Sequence, residues 1–187
     1  VKEYPTASAH SGHFRALLNE LELKKDFKPD VVYIDYLNIC ASSRIKGLGG
    51  SVNTYHMVKA IVEEVRGLAI EFNIPIWSAT QVTRGGFNSS DVELTDTSES
   101  FGLPATADLM LAMISTEQLE GMNQVMFKQL KNRYNDPTKN KRFVVGIDRP
   151  KMRLYELDDS AQDDIIPDVH EYTIGESTKQ DFSSFTV

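Results

Sequence analysis

The 187-residue chain is 41% apolar, enough for one sizeable core but too short for two full domains, and its only cysteine, Cys40, excludes an internal disulfide and fits a reducing compartment. No apolar run approaches the roughly 20 residues that span a bilayer, so a membrane-crossing helix is excluded as well. A net charge of −7 with a pI near 5.1 rules out binding nucleic acid over the whole surface, because phosphate neutralisation needs clustered cations.

Much of the acidity lies late, at Asp158, Asp159, Asp163, Asp164 and Asp168, so any DNA contact is local and belongs to the body of the chain. The opening Val1-Lys2-Glu3-Tyr4-Pro5 has neither a signal-peptide core nor an initiator methionine, and the chain is expected to be a fragment.

Phe14, Leu17, Leu18 and Leu21 recur at helical spacing, and Lys28-Pro29 stops that helix before Asp30. The run 31–34, Val-Val-Tyr-Ile, predicts a strand covered on both faces that ends at Asp35. After a Ser- and Gly-rich loop, Val58, Ile61, Val62, Val65, Leu68, Ala69 and Phe72 form one apolar stripe on a helix over 53–72. A second strand over 74–79 follows at once, completing a βαβ unit with Asp35 and the Thr80-Gln81 pair at the same carboxyl edge.

The stretch 85–100 is long and polar, the composition of a functional loop. Strands are expected over 109–114, 125–130, 143–147 and 153–157, with the turn Asn135-Asp136-Pro137 making the sheet antiparallel in this half. The fold class is therefore α/β, a mainly parallel central sheet flanked by helices with antiparallel strands on the C-terminal side. The body is taken as 1–158 and the remainder, 159–187, as an acidic tail, flexible or partner-docking.

Asp35, ending an apolar strand, suits Mg²⁺ held through water beside a nucleotide's phosphates; by position alone a turn start or a helix cap is the commoner role. Gln81, with Thr80 assisting, stands where an amide can touch a γ-phosphate or its attacking water, and also reads as an ordinary polar strand end. Lys131 and Arg133 are two apart at a strand end and project to one side, either towards a shared phosphate or into solvent as a basic hairpin. His10, His13, His56 and His170 show no metal-ligand spacing and are assigned surface or capping roles. Trp77, Met110 and Met113 are expected in the core. Gly47, Gly49 and Gly50 lack a following Lys-Ser or Lys-Thr, so they form a turn and not a phosphate-binding loop.

In order, VVYIDYLNIC, GLAIEFNIPIWSATQVTR, DTSESFGLPATADLM and KNRYNDP resemble successive motifs of the DnaB-family hexameric replicative DNA helicases. The likeness runs over 4–158 and is strongest to T-even phage members, including YPTASAHSGHFRALLNEL ahead of the first strand. It implies part of a RecA-like P-loop NTPase core, ATP with Mg²⁺ as cofactors, and a homohexameric ring. Such a ring moves 5′ to 3′ on single-stranded DNA and unwinds the replication fork in the host cytoplasm, with primase and a helicase loader as partners.

Carried over, Asp35 matches the Walker B aspartate and Gln81 the γ-phosphate sensor, while Lys131 and Arg133 match the Lys-x-Arg element reaching the adjacent subunit's nucleotide, Arg133 as the finger. Segments 42–51 and 84–101 fall where the family places its channel loops, which makes Arg44, Lys46, Arg84, Asn88, Ser98, Glu99 and Phe101 candidates for gripping DNA. Where the family has an arginine, a glutamate and a glycine near the DNA, this chain has Ser98, Glu99 and Phe101. Nothing before Asp35 matches the family's P-loop lysine or catalytic glutamate, so these residues alone are expected not to hydrolyse ATP. The alternatives are a filament-forming RecA-type recombinase and a non-catalytic module that docks a loader or primase.

Overall fold

The computed structural model describes residues 1–45, 54–82, 92–94, 102–136, 138–158 and 160–163. The first helix, α1 (Ser11–Lys25), is started by two histidines. His10 Nδ1 accepts from the Gly12 amide at 3.0 Å, and His13 Nδ1 accepts from the His10 amide at 3.2 Å. These bonds satisfy donors that a helix start leaves without partners. Asp26, in the left-handed region at φ 49°, ends the helix behind Lys24 and Lys25.

Two short strands, β1 (Val32–Ile34) and β2 (Ile76–Ser78), pair in parallel with Val32 opposite Ile76, Tyr33 opposite Trp77 and Ile34 opposite Ser78. The crossover between them is α2 (Thr54–Phe72), so the βαβ unit read from the sequence is present. Val58, Ile61, Val62, Val65 and Leu68 of α2 are buried, the spacing of one helix face, and Leu68 is fully enclosed. That face meets Leu37, Cys40, Leu103 and Met110, with Phe14, Ile34, Ile76 and Leu130 packed around them. The bidentate pair Arg15 to Glu71 fastens α1 to α2 at the surface.

Downstream lie α3 (Gly102–Thr106), β3 (Leu109–Ile114), α4 (Glu117–Gly121), β4 (Gln124–Asn132), β5 (Arg142–Asp148), β6 (Arg153–Tyr155) and α5 (Ser160–Asp163). The four strands make one antiparallel sheet in the order β3-β4-β5-β6. The expectation of a mainly parallel sheet is corrected here: among the described strands, parallel pairing is confined to β1 and β2. The cause is connection length. The few residues of α4, and the turn closed by Thr138 donating to Asp136 at 2.6 Å, are too short for a crossover and allow only antiparallel return.

Two further expectations change. The first strand is not covered on both faces, since Tyr33 is 75% exposed and its partner Trp77 45%, and Met113 is 61% exposed while Met110 is buried. Alternation explains all three. Ile34 and Ile76 turn to α2, which leaves Tyr33 and Trp77 on the opposite face, and along β3 Met110, Ala112 and Ile114 turn inward while Leu111 and Met113 turn out.

Beyond Asp158, Gln162 of α5 accepts from the Val144 amide at 2.9 Å and donates to the Val144 carbonyl at 2.8 Å. One side-chain amide thus continues the ladder where β6 has ended.

Candidate functional site

Three groups of polar residues stand around the βαβ unit. The first is the carboxyl edge of β1 and β2. Because these strands run parallel, Asp35 and the Thr80-Gln81 pair leave the sheet at the same end. Ser78 Oγ donates to the Ile34 carbonyl at 2.6 Å, and the Leu37 amide donates to the Ala79 carbonyl at 3.2 Å, closing the two strand ends against each other. Thr80 Oγ1 donates to Asn38 Oδ1 at 2.9 Å, and Gln81 Nε2 to the Tyr36 hydroxyl at 3.2 Å. Asp35 and Gln81 are exposed, and the Asp35–Tyr36 peptide is cis. A hard carboxylate oxygen and a neutral amide at one sheet edge are donor types suited to hydrated Mg²⁺ and a phosphate.

The second group gathers at the end of β4. A bulge at Leu130 shifts the β3–β4 register between Met110 and Leu111, so that Met110 faces Lys131 while Leu111 faces Gln129. Beyond it, Lys131 and Arg133 reach the last turn of α3, where helix carbonyls have no intrahelical donor. Lys131 Nζ donates to the Pro104 carbonyl and, at 3.3 Å, to that of Ala105; Arg133 Nη2 donates to the Ala105 carbonyl.

Arg133 Nη1 also meets Asp108 Oδ1 at 3.1 Å, and the Arg133 amide donates to the Asp108 carbonyl at 2.9 Å. Arg66, from α2, holds both oxygens of Asp108 at 2.7 Å and the Thr106 carbonyl at 2.7 Å. An open cleft of about 390 Å³ lies over this cluster, lined by Glu63, Arg66, Ala105, Thr106 and Arg133 among others.

Charge sets the behaviour of the cluster. Partial burial works against ionisation of Asp108, but the hydrogen bonds and charges of Arg66 and Arg133 outweigh it and hold the carboxyl below its usual range. Burial, reinforced by the neighbouring Arg133, lowers the Lys131 ammonium. Three cations thus share one carboxylate, which leaves the outer face positive.

The third group surrounds Glu64, a carboxylate buried within the apolar stripe of α2. Its Oε2 accepts from Ser11 Oγ at 2.6 Å, Ser43 Oγ at 2.7 Å and the Ser43 amide at 3.1 Å, and Oε1 accepts from Ser42 Oγ and the Arg44 amide. Burial alone would raise its pKa; the serine hydrogen bonds reverse that and take it to about 2. One residue earlier, Glu63 accepts from Arg44 Nη1 at 2.7 Å.

Of the residues read as nucleic-acid contacts, Arg44 is therefore found half-exposed and paired with Glu63, while Lys46, Arg84, Asn88, Ser98, Glu99 and Phe101 lie outside the described residues, as do Gly47, Gly49 and Gly50. Sequence reasoning missed Glu64, Arg66 and Asp108. Glu64 carried a signal, a charge inside the stripe of Ile61, Val65 and Leu68. Asp108 carried none, because its partners come from register.

Over 158 residues the chain is 48% identical to the DnaB-like replicative helicase of Enterobacteria phage T4, a match covering 84% of this chain and 33% of that protein. The chain thus spans about a third of the length of this curated relative. Two solved structures share its fold at 16% identity. One, an ATPase domain, superposes with a TM-score of 0.67 over 80% of this chain and 52% of its own. The other, a DnaB-like replicative helicase described with its interactions with primase, gives 0.69 over 83% and 37%. No protein-family model matches.

Proposed function

We infer that this chain, which belongs to the DnaB-like replicative helicases, forms part of the motor domain of an ATP-driven DNA helicase. The βαβ unit and the antiparallel strands beside it would be one portion of a RecA-like P-loop core. These 187 residues contain no Gly-x-x-x-x-Gly-Lys signature. Bound ATP with Mg²⁺ would supply the free energy that moves the motor.

Each group then has a part. Asp35 would hold Mg²⁺ through water, and Gln81, steadied by Tyr36 and accompanied by Thr80, would hold the terminal phosphate of a bound nucleotide. Lys131 and Arg133, at rest on the carbonyls that end α3, would act on the nucleotide of the adjacent subunit in a homohexameric ring, Arg133 as the finger. Arg44, at the base of the segment that follows β1, contributes to a grip on the single-strand backbone that strengthens at low salt. Translocation 5′ to 3′, unwinding at the fork, docking of primase and a loader, and action in the host cytoplasm complete this reading.

The observation that carries it is the shared edge: a strand-end carboxylate and an amide from the next strand leave a parallel pair at the same end. The test is Arg133→Ala in the full-length protein. DNA-stimulated ATP hydrolysis should fall on the order of a thousandfold, the scale of an arginine finger, while the ring still assembles. Undiminished hydrolysis in an assembled ring would sink the assignment.

A further inference from the structure

We propose that Arg66 is a positioning residue for Arg133, acting through Asp108. This rests on the reading of Arg133 as a finger for the neighbouring nucleotide. A finger must wait in an orientation from which its guanidinium can reach a phosphate, yet remain free to leave whatever holds it.

The two bonds to Asp108 are unequal in the required sense. Arg66 Nη1 meets both carboxylate oxygens at 2.7 Å and anchors itself on the Thr106 carbonyl, whereas Arg133 meets one carboxylate oxygen at 3.1 Å and has its other nitrogen on the Ala105 carbonyl. Arg133 is also the more exposed of the two arginines, at 42% against 36%. Asp108 is consequently fixed by α2 and offers Arg133 a weak, half-solvated resting place. An incoming phosphate can take Arg133 from it while Arg66 keeps the carboxylate neutralised. Without Arg66, the Asp108 carboxylate would be left to Arg133 and Lys131 and would hold the finger back.

The backbone adds the second half of the device. The Arg133 amide bonds to the Asp108 carbonyl at 2.9 Å, so the finger and its rest are joined through the main chain as well. Arg66 lies on the same helix as Glu63 and Glu64, which hold the segment that starts at Ser42.

The experiment is a double-mutant cycle in the full-length protein, reading kcat and KM for DNA-stimulated ATP hydrolysis. Arg66→Ala should lower kcat roughly a hundredfold, the scale for a reacting group misplaced by about 1 Å, with KM unchanged. Arg66→Lys should restore it only in part, because the shorter lysine cannot carry its ammonium to the place of Nη1, which alone makes the bonds to both carboxylate oxygens and to the Thr106 carbonyl. In an Arg133→Ala background, Arg66→Ala should cost nothing further.

Additive losses, or full kcat in Arg66→Ala, would overturn the proposal while leaving the finger intact. Full kcat in Arg133→Ala removes the finger reading and this inference with it. If Arg66→Ala fails to fold, Asp108→Asn takes its place: it keeps the shape, should lower kcat at constant KM and should again cost nothing in the Arg133→Ala background, and retention of full kcat would refute the idea.

Discussion

Ser11 Oγ donates to Glu64 Oε2 at 2.6 Å, joining the first turn of α1 to the middle of α2. With Ser42 and Ser43 on the same carboxylate, three chain segments converge on a single buried charge. An ionised carboxylate costs little in such a place only while its acceptor sites are filled.

The pH dependence follows from the depressed pKa. Glu64 ionises at about 2 in the folded chain against an ordinary value of 4.5. Its stabilisation is complete above about 4.5 and disappears as pH falls towards 2, and is on the order of 3 kcal/mol. Urea denaturation of the 187-residue chain at a series of pH values should show this slope, and Glu64→Gln should flatten it while lowering stability at neutral pH. Identical slopes for the two proteins would contradict the account.

Gly146 gives a second prediction. A Cβ at this position would come within 2.2 Å of the Tyr155 ring, which lies across the glycine where β5 pairs with β6. Gly146→Ala must push the ring away, and because Tyr155 is 40% exposed the ring has room to swing out. The expected loss is about 1–2 kcal/mol, at the lower end for overpacking. In a Tyr155→Ala background the same substitution should lose much less, and equal losses in both backgrounds would show that the ring is not the cause.

The βαβ unit was legible because its signal is local: Val58, Ile61, Val62, Val65 and Leu68 repeat at the helical period beside two apolar runs, and one crossover fixes both strand ends. That pattern alone puts Asp35 and Gln81 on one edge. The burial of Tyr33 and Trp77 was misjudged since a short apolar run does not reveal whether one face or two are covered.

Asp108 and Arg133, 25 positions apart, were beyond reach for another reason. They meet because the bulge at Leu130 sets the register of β4 on β3, and a bulge leaves no mark in an apolar pattern. The contact of Arg66 with Asp108 needs the packing of α2 on α3 as well, which is tertiary information throughout.

Nucleotide binding supplies a third prediction. If Asp35, Thr80 and Gln81 serve a nucleotide as proposed, these 187 residues still hold no Gly-x-x-x-x-Gly-Lys loop, whose backbone amides would cradle its phosphates. Titration of the 187-residue chain with ATP and Mg²⁺ should therefore show no saturation at micromolar concentrations. Saturable binding in that range would mean that the described edge holds phosphate by itself.

The edge of β5 offers the last test. Beyond the end of β6 the Val144 amide and carbonyl would face outward unpaired, and the Gln162 carboxamide meets both, accepting at 2.9 Å and donating at 2.8 Å. Glutamate can accept but not donate, so Gln162→Glu should lose one of the two bonds, and Gln162→Leu should lose both. Each neutral hydrogen bond is worth about 1 kcal/mol net, which sets the scale of the change. Amide hydrogen exchange is the direct readout: Val144 should exchange faster in Gln162→Leu than in Gln162→Glu, because the glutamate still covers the amide. Equal exchange rates in the parent chain and Gln162→Leu would mean that α5 does not protect this edge, and the short helix would then be ordered by something other than its hold on β5.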